Sequence, residues 1–265
     1  MMENELNIAL IQEELEWENP AANRARFAEL FKTLKNVDVA VLPEMFTTGF
    51  SMTCAHLAEE MDGPTVRWMK EQSALLGGAI CGSVLIETDS GLFNRLLWVT
   101  PDGKVEYYDK RHLFTLANEQ DYFQSGDERL IVDYKGWKIC PMICYDLRFP
   151  VWSRNGWDAV AGADYDLLIY VANWPSKRAD AWRKLLVARA IENQSYVVGV
   201  NRIGHDGKGF EYTGDSRLFD AMGKELIEFE QGEKNQKTHT LVKSDLVRVR
   251  EKLSFLPDQD RFTIL

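Results

Sequence analysis

Glu44, Lys110 and Cys144 are three residues whose side-chain types, taken together, make a complete nucleophilic centre. Each follows an apolar run that reads as a strand: Val37 to Leu42 before Glu44, Val105 to Tyr108 before Lys110, and Trp137 to Ile143 before Cys144. Ends of buried strands are where α/β proteins gather reacting groups. A thiol attacks as its thiolate, so it needs a base or a cation beside it, and a carboxylate with an ammonium supplies both. Singly, each residue has a plainer reading. A cysteine after an apolar strand packs in a core, Lys110 in Asp-Lys-Arg-His sits in a solvated turn, and Glu44 is a carboxylate at a helix start.

The elements that would carry these residues alternate between short apolar strands and helical stretches, a rhythm expected of helices around a central sheet. Leu6 to Ile11 opens as a strand, and Asn19-Pro20 caps a helix whose Phe27, Leu30, Phe31 and Leu34 share a face. Gly63-Pro64 starts a second helix to about Leu76. Ala79 to Ile86 and Arg95 to Thr100 read as a strand pair joined by a Ser-Gly turn. Beyond Cys144, Leu167 to Ala172 and Tyr196 to Asn201 read as strands, separated by a helix from about Ala179 to Asn193. Ser216 to Phe219, Leu226 to Glu230 and Thr238 to Val242 read as edge or meander strands before a helix near Leu246 to Leu253. No repeat or linker divides the chain, so residues 1–265 are expected to form one domain.

Composition bounds the function. The 265 residues are 45% hydrophobic and 27% charged, enough for a large core under a wetted surface. With 31 Lys and Arg against 41 Asp and Glu, the net charge of −10 argues against a nucleic-acid partner. No apolar run approaches the roughly 20 residues that span a bilayer, and Met1 to Leu15 carries Glu where a signal peptide needs basic and apolar residues. A cytoplasmic location is expected, with no membrane partner. Cys54, Cys81, Cys140 and Cys144 are then free thiols.

Three longer stretches surround the candidate residues: Leu-Pro-Glu-Met-Phe-Thr-Thr-Gly-Phe (Leu42 to Phe50), Asp-Lys-Arg-His-Leu-Phe (Asp109 to Phe114) and Ile-Cys-Tyr-Asp-Leu-Arg-Phe-Pro (Ile143 to Pro150). In order and spacing they resemble the three signatures of the nitrilase, or carbon-nitrogen hydrolase, superfamily. Tyr170-Val-Ala-Asn-Trp-Pro175 and Ala188-Arg-Ala-Ile-Glu-Asn193 resemble later blocks, so the resemblance covers nearly the whole chain. Within the superfamily the chain looks most like the bacterial ω-amidases, which hydrolyse 2-oxoglutaramate and related monoamides of dicarboxylic acids. Val151 departs from the pattern, where many relatives have Glu after Phe-Pro.

The resemblance implies an α/β fold, a four-layer α-β-β-α sandwich, with Glu44, Lys110 and Cys144 as catalytic residues and a homodimer whose sheets meet near the cysteine. Cys144 would attack the amide carbonyl as a thiolate ion-paired with its neighbours. Glu44 would act as general base and acid, and Lys110 with the Tyr145 N–H would form the oxyanion hole. Glu119 resembles the family's second glutamate, although Asn-Glu-Gln-Asp also reads as plain surface. No metal or cofactor is needed. A monoamide leaves one free carboxylate, which a guanidinium fits, and Arg178 is the expected partner. Arg148 competes for that role, but its place in the cysteine motif suggests a structural ion pair at the elbow. Phe46, Phe114 and Trp174 are expected to wall a compact pocket, and Arg189 with Glu192 to pair along a helix.

Other classes fit less well. Cys140 and Cys144 lack the turn that a Cys-x-x-Cys redox motif uses, and His56, His112, His205 and His239 are too scattered for a metal centre. A noncatalytic binding protein would have lost one of the three residues. Inside the enzyme class, an N-carbamoyl amino acid amidohydrolase, an aliphatic amidase or a nitrilase is the alternative.

Overall fold

The computed structural model describes residues 4–260, 262 and 263. In chain order, its first part contains β1 (Glu5–Gln12), α1 (Pro20–Phe31), β2 (Val39–Val41), α2 (Pro64–Leu76), β3 (Ala79–Thr88), β4 (Gly91–Val99) and β5 (Val105–Asp109). The middle contains β6 (Val132–Tyr134), β7 (Trp137–Ile143), β8 (Trp157–Asp158), β9 (Gly162–Ala163), β10 (Leu167–Ala172), α3 (Ala179–Asn193) and β11 (Tyr196–Asn201). The remainder adds β12 (Ile203–His205), β13 (Glu211–Thr213), β14 (Arg217–Phe219), β15 (Glu225–Glu228), β16 (Asn235–Val242) and α4 (Lys243–Lys252).

These strands make two six-stranded sheets, ordered β16-β1-β2-β3-β4-β5 and β15-β14-β11-β10-β7-β6. The even rhythm of strand and helix suggested one central sheet; the structure has two stacked sheets, as the family resemblance implied. Alternation along β1 shows why they stack. Leu6, Ile8 and Leu10 enter the core shared with the second sheet, while Ala9 and Ile11 join Phe27, Phe31, Val66 and Met69 of α1 and α2 on the other face. Helix α3 covers the second sheet through Trp182, Leu186 and Ala190. It sits so close to β11 that a Cβ at Gly199 would lie 2.5 Å from Leu186 Cδ1 and 2.7 Å from Trp182 Cζ2.

Local signals set the helix ends. The Asn19 side chain accepts from Ala22 N at 3.2 Å and Pro20 opens α1, which stops at Phe31 rather than Leu34. Gly77, at φ +69°, closes α2. The strand expected over Val37 to Leu42 is only three residues long, because Pro43 and the following turn end its pairing. The stretch read as an edge strand from Thr238 runs from Asn235 and pairs antiparallel with β1 along its length, Glu5 opposite Val242 and Gln12 opposite Asn235. No helix among the described residues is long and apolar enough to cross a membrane. Of the apolar tail, Phe262 is exposed, while Ile264 and Leu265 lie outside the described residues.

Candidate active site

Glu44, Lys110 and Cys144 come together beside one cavity of about 320 Å³. Glu44 follows β2 in a tight turn fixed by Ser83, which accepts from Met45 N through its hydroxyl at 2.8 Å and from Phe46 N through its carbonyl at 3.1 Å. Lys110 follows β5. Its backbone N–H donates to Asn94 O at 3.1 Å, and the preceding Asp109 is clamped by the Nε and Nη2 edge of the Arg95 guanidinium at 2.7 and 2.8 Å.

Cys144 sits at the junction of β7 and a short 3₁₀ turn, with φ of +43°. A non-glycine residue held there costs on the order of 1–3 kcal/mol, so the surroundings must enforce it. The buried Asp146 does much of this. Its carboxylate accepts from Ile143 N at 3.0 Å, Tyr108 OH at 2.7 Å, His112 N at 3.1 Å and the His112 Nδ1 at 2.8 Å. Arg189 adds a bond from Nη2 to Leu147 O at 2.6 Å while pairing with Glu192 at 2.9 Å. The turn carrying the thiol is thus tied to the segment carrying the ammonium.

The ammonium of Lys110 is buried between two carboxylates, 2.8 Å from Glu44 Oε1 and 3.0 and 2.9 Å from the oxygens of Glu119. Burial alone would lower its pKa, but Glu119 and Glu44 outweigh burial and hold it above the ordinary lysine value. Glu119 is fully buried and not a surface carboxylate; its pKa is raised by burial, against the pull of Lys110. Asn94 donates to Glu44 Oε1 at 2.9 Å. Asn173 donates from its backbone to Glu44 Oε2 at 2.8 Å and from its side chain to Glu44 O at 2.6 Å, and its carbonyl lies 4.0 Å from Cys144 Sγ.

The thiol itself departs from expectation. Burial and the negative Glu44 push Cys144 well above the usual thiol range, against the opposing Lys110. Burial thus works against the ion-paired thiolate expected from the sequence. A carbonyl carbon placed beside Sγ can therefore be attacked as the proton passes to a carboxylate. Tyr145 follows in the first turn of the 3₁₀ segment, where leading N–H groups have no intrahelical acceptor.

Phe114 and Trp174 line the cavity as expected, but Phe46 does not. Met45, at φ +42°, turns the chain so that Phe46 packs into the helix-side core, edge-on to Phe27 at 5.5 Å. Phe50 takes its place, with its ring 4.9 Å from Lys110 Nζ. Arg178 lines the cavity with its guanidinium 5.1 Å over the Phe114 ring. Arg148 makes no ion pair among the described residues. It lies 4.8 Å over the Trp174 ring and also lines the cavity, the elbow being held by Asp146 and Arg189 instead. Val151 is exposed and away from the cavity, beside Trp152 and Leu256.

Asn94, Asn173 and Asp146 were not singled out from the sequence. Asn173 had the same signal as Cys144, since it ends β10, the parallel neighbour of β7. Asn94 lies within β4 and has no such signal.

This fold and this chemistry define a hydrolase of amide carbon–nitrogen bonds. The chain belongs to the carbon-nitrogen hydrolase family, whose model matches residues 7–251. It is 44% identical over 260 residues to the omega-amidase YafV of Yersinia enterocolitica, spanning 98% of this chain and 99% of that one. It is 34% identical over 226 residues to the 2-oxoglutaramate amidase of Bacillus subtilis, covering 83% of this chain and 85% of that one. Among solved structures, a CN-hydrolase superfamily protein of Xanthomonas campestris with an arsenic adduct in its active site superposes with a TM-score of 0.97. The two are 46% identical, and the match covers 99% of this chain and 100% of that one.

Proposed function

We propose that this chain is an ω-amidase, a thiol-dependent hydrolase that removes the terminal amide of small dicarboxylic monoamides such as 2-oxoglutaramate. The observation that carries the reading is the convergence of Cys144, Glu44 and Lys110 on a cavity that also presents the Arg178 guanidinium. Identity of 44% to an omega-amidase along nearly the full chain supports it.

The chemistry then runs in two halves. Cys144 Sγ attacks the amide carbonyl while Glu44 takes the thiol proton, and the carbonyl oxygen becomes an oxyanion facing Lys110 and the Tyr145 N–H. Once Glu44 is protonated, its hold on Lys110 weakens and an ammonium N–H is freed for the oxyanion. Collapse breaks the C–N bond, Glu44 returns the proton to the leaving ammonia, and a thioester remains on Cys144. Glu44 next takes a proton from water as the water oxygen attacks the thioester; collapse breaks the C–S bond, Glu44 returns that proton to Sγ, and the new carboxylic acid leaves. Glu119 keeps Lys110 charged and in place throughout. Arg178 pairs with the substrate's free carboxylate, between walls made by Phe114 and Trp174. The protein acts as a single domain over residues 1–265, as a cytoplasmic homodimer, with a small amide as its ligand.

The test is ammonia release from 2-oxoglutaramate, succinamate, a neutral aliphatic amide, an N-carbamoyl amino acid and a nitrile. Fastest turnover of the carboxylate-bearing amides is expected. Preference for any of the last three compounds would overturn the reading in favour of another carbon-nitrogen hydrolase.

A further inference from the structure

Three cationic side chains, Arg148, Arg178 and Lys208, line the cavity, and none has an acidic partner among the described residues. In a chain of net charge −10 such a cluster runs against the average. Like charges around one cleft repel one another unless an anion enters, and a narrow cleft focuses their field toward its interior.

Lys208 comes from an element that the sequence did not reveal, the hairpin of β12 and β13. An acid stands beside it on the cavity wall, Asp206, but that carboxylate is engaged inside the hairpin. It accepts from Lys208 N and Phe210 N, each at 2.9 Å, and from Tyr212 OH at 2.9 Å. The Lys208 ammonium is left facing solvent at the rim.

The hairpin is a fixed wall. Arg202, fully buried, donates to Ile203 O at 3.0 Å, Leu15 O at 3.2 Å and His205 O at 2.9 Å, with its guanidinium 4.8 Å over the Tyr212 ring. Gly207 lies against Trp17 so tightly that a Cβ there would be 2.4 Å from the indole nitrogen. The turn therefore holds Lys208 at a set place beside the cavity.

We propose that Lys208 is a specificity-determining residue, whose ammonium draws the free carboxylate of the substrate into the cavity toward Arg178. This rests on the ω-amidase reading. A rim charge acts on capture more than on chemistry, so its effect belongs in KM and fades with salt.

The experiment compares succinamate with butyramide, a neutral amide of the same length, in wild type, Lys208→Met, Lys208→Arg and Lys208→Glu, at about 0.01 M and about 0.5 M salt, where screening is weak and strong. Circular dichroism and titration of the reactive thiol confirm that each variant is folded. At low salt Lys208→Met is expected to lower the succinamate-to-butyramide ratio of kcat/KM about 5- to 10-fold, chiefly through KM, an effect within the range of electrostatic steering. Lys208→Arg restores the ratio, Lys208→Glu lowers it further, and high salt narrows the differences. A wild type that prefers succinamate, with an unaltered ratio in Lys208→Met and Lys208→Glu, overturns the role of Lys208 alone. A wild type without that preference overturns the substrate class, and the role of Lys208 with it.

Discussion

Glu119 and Lys110 face each other at full burial, with both carboxylate oxygens within 3.0 Å of the ammonium. Two carboxylates therefore share one ammonium when Glu44 is counted, and in the proposed mechanism the second keeps Lys110 charged while Glu44 gains and loses a proton. Glu119→Gln is expected to cut kcat by about 10- to 1,000-fold, bounded by the loss of an oxyanion donor, with KM little changed. Steady-state kinetics with succinamate checks this, and wild-type kcat would assign Glu119 to stability alone.

Lys110→Met should lower turnover by about 100- to 1,000-fold, the usual loss on removing an oxyanion donor. It also strips two buried carboxylates of their counter-ion. Glu119 is already raised by burial, and without Lys110 it rises further. A folded-state pKa above the unfolded value gives stability that is present below the unfolded pKa and lost as pH rises through the folded one. The variant should therefore lose stability relative to wild type as pH climbs through the raised folded-state pKa of Glu119 in the wild type, which lies above the ordinary glutamate value. Urea unfolding across pH 4 to 8 measures that divergence, and parallel curves would refute it.

Cys144→Ala should abolish turnover with the fold retained. Iodoacetamide should label Cys144 first, because Cys144 opens on the cavity while Cys54, Cys81 and Cys140 are fully buried. Glu44→Gln separates reactivity from catalysis. Glu44 raises the thiol and Lys110 lowers it, so removing the carboxylate charge should shift the labelling profile to lower pH even as amide turnover collapses. Retained turnover in Glu44→Gln would remove Glu44 from the proton relay.

Arg178→Ala is expected to raise KM for succinamate by one or more orders of magnitude, as loss of a charge-assisted contact of roughly 1.5–3 kcal/mol implies. Arg178→Lys should recover part of the loss, since a point charge lacks the bidentate fork. Equal losses on a neutral amide would instead make Arg178 a support for Phe114, over whose ring it lies.

Asp146→Asn keeps the size of the side chain but removes the charge that receives Ile143 N, Tyr108 OH and His112. A stability loss of about 1–3 kcal/mol is expected, since one of these donors must face an amide N–H. Turnover should fall with it, because the φ of Cys144 depends on the same carboxylate. Thermal unfolding and the thiol-labelling rate report the two effects separately.

The strand-end residues were legible because hydrophobic runs mark where buried strands stop, and a reacting group set just beyond such a stop is visible in one dimension. Phe46 misled because a single left-handed residue, Met45, turns the side chain that follows toward the helices. Asn94 was hidden because a polar residue inside a strand carries no local mark of the side chains it will meet from beyond the ends of other strands. The hairpin with Lys208 escaped because its strands are three residues each, too short for alternation to register.

Pairing of β1 with β16 has a consequence for how the molecule is made. Glu5 lies opposite Val242, so the first sheet keeps an open edge on β1 until nearly the whole chain has left the ribosome. An unpaired apolar strand is a template for association with other chains, and contacts of such long sequence separation form slowly. The enzyme is thus most exposed to aggregation during its own synthesis, and closure of that edge marks the end of the hazard.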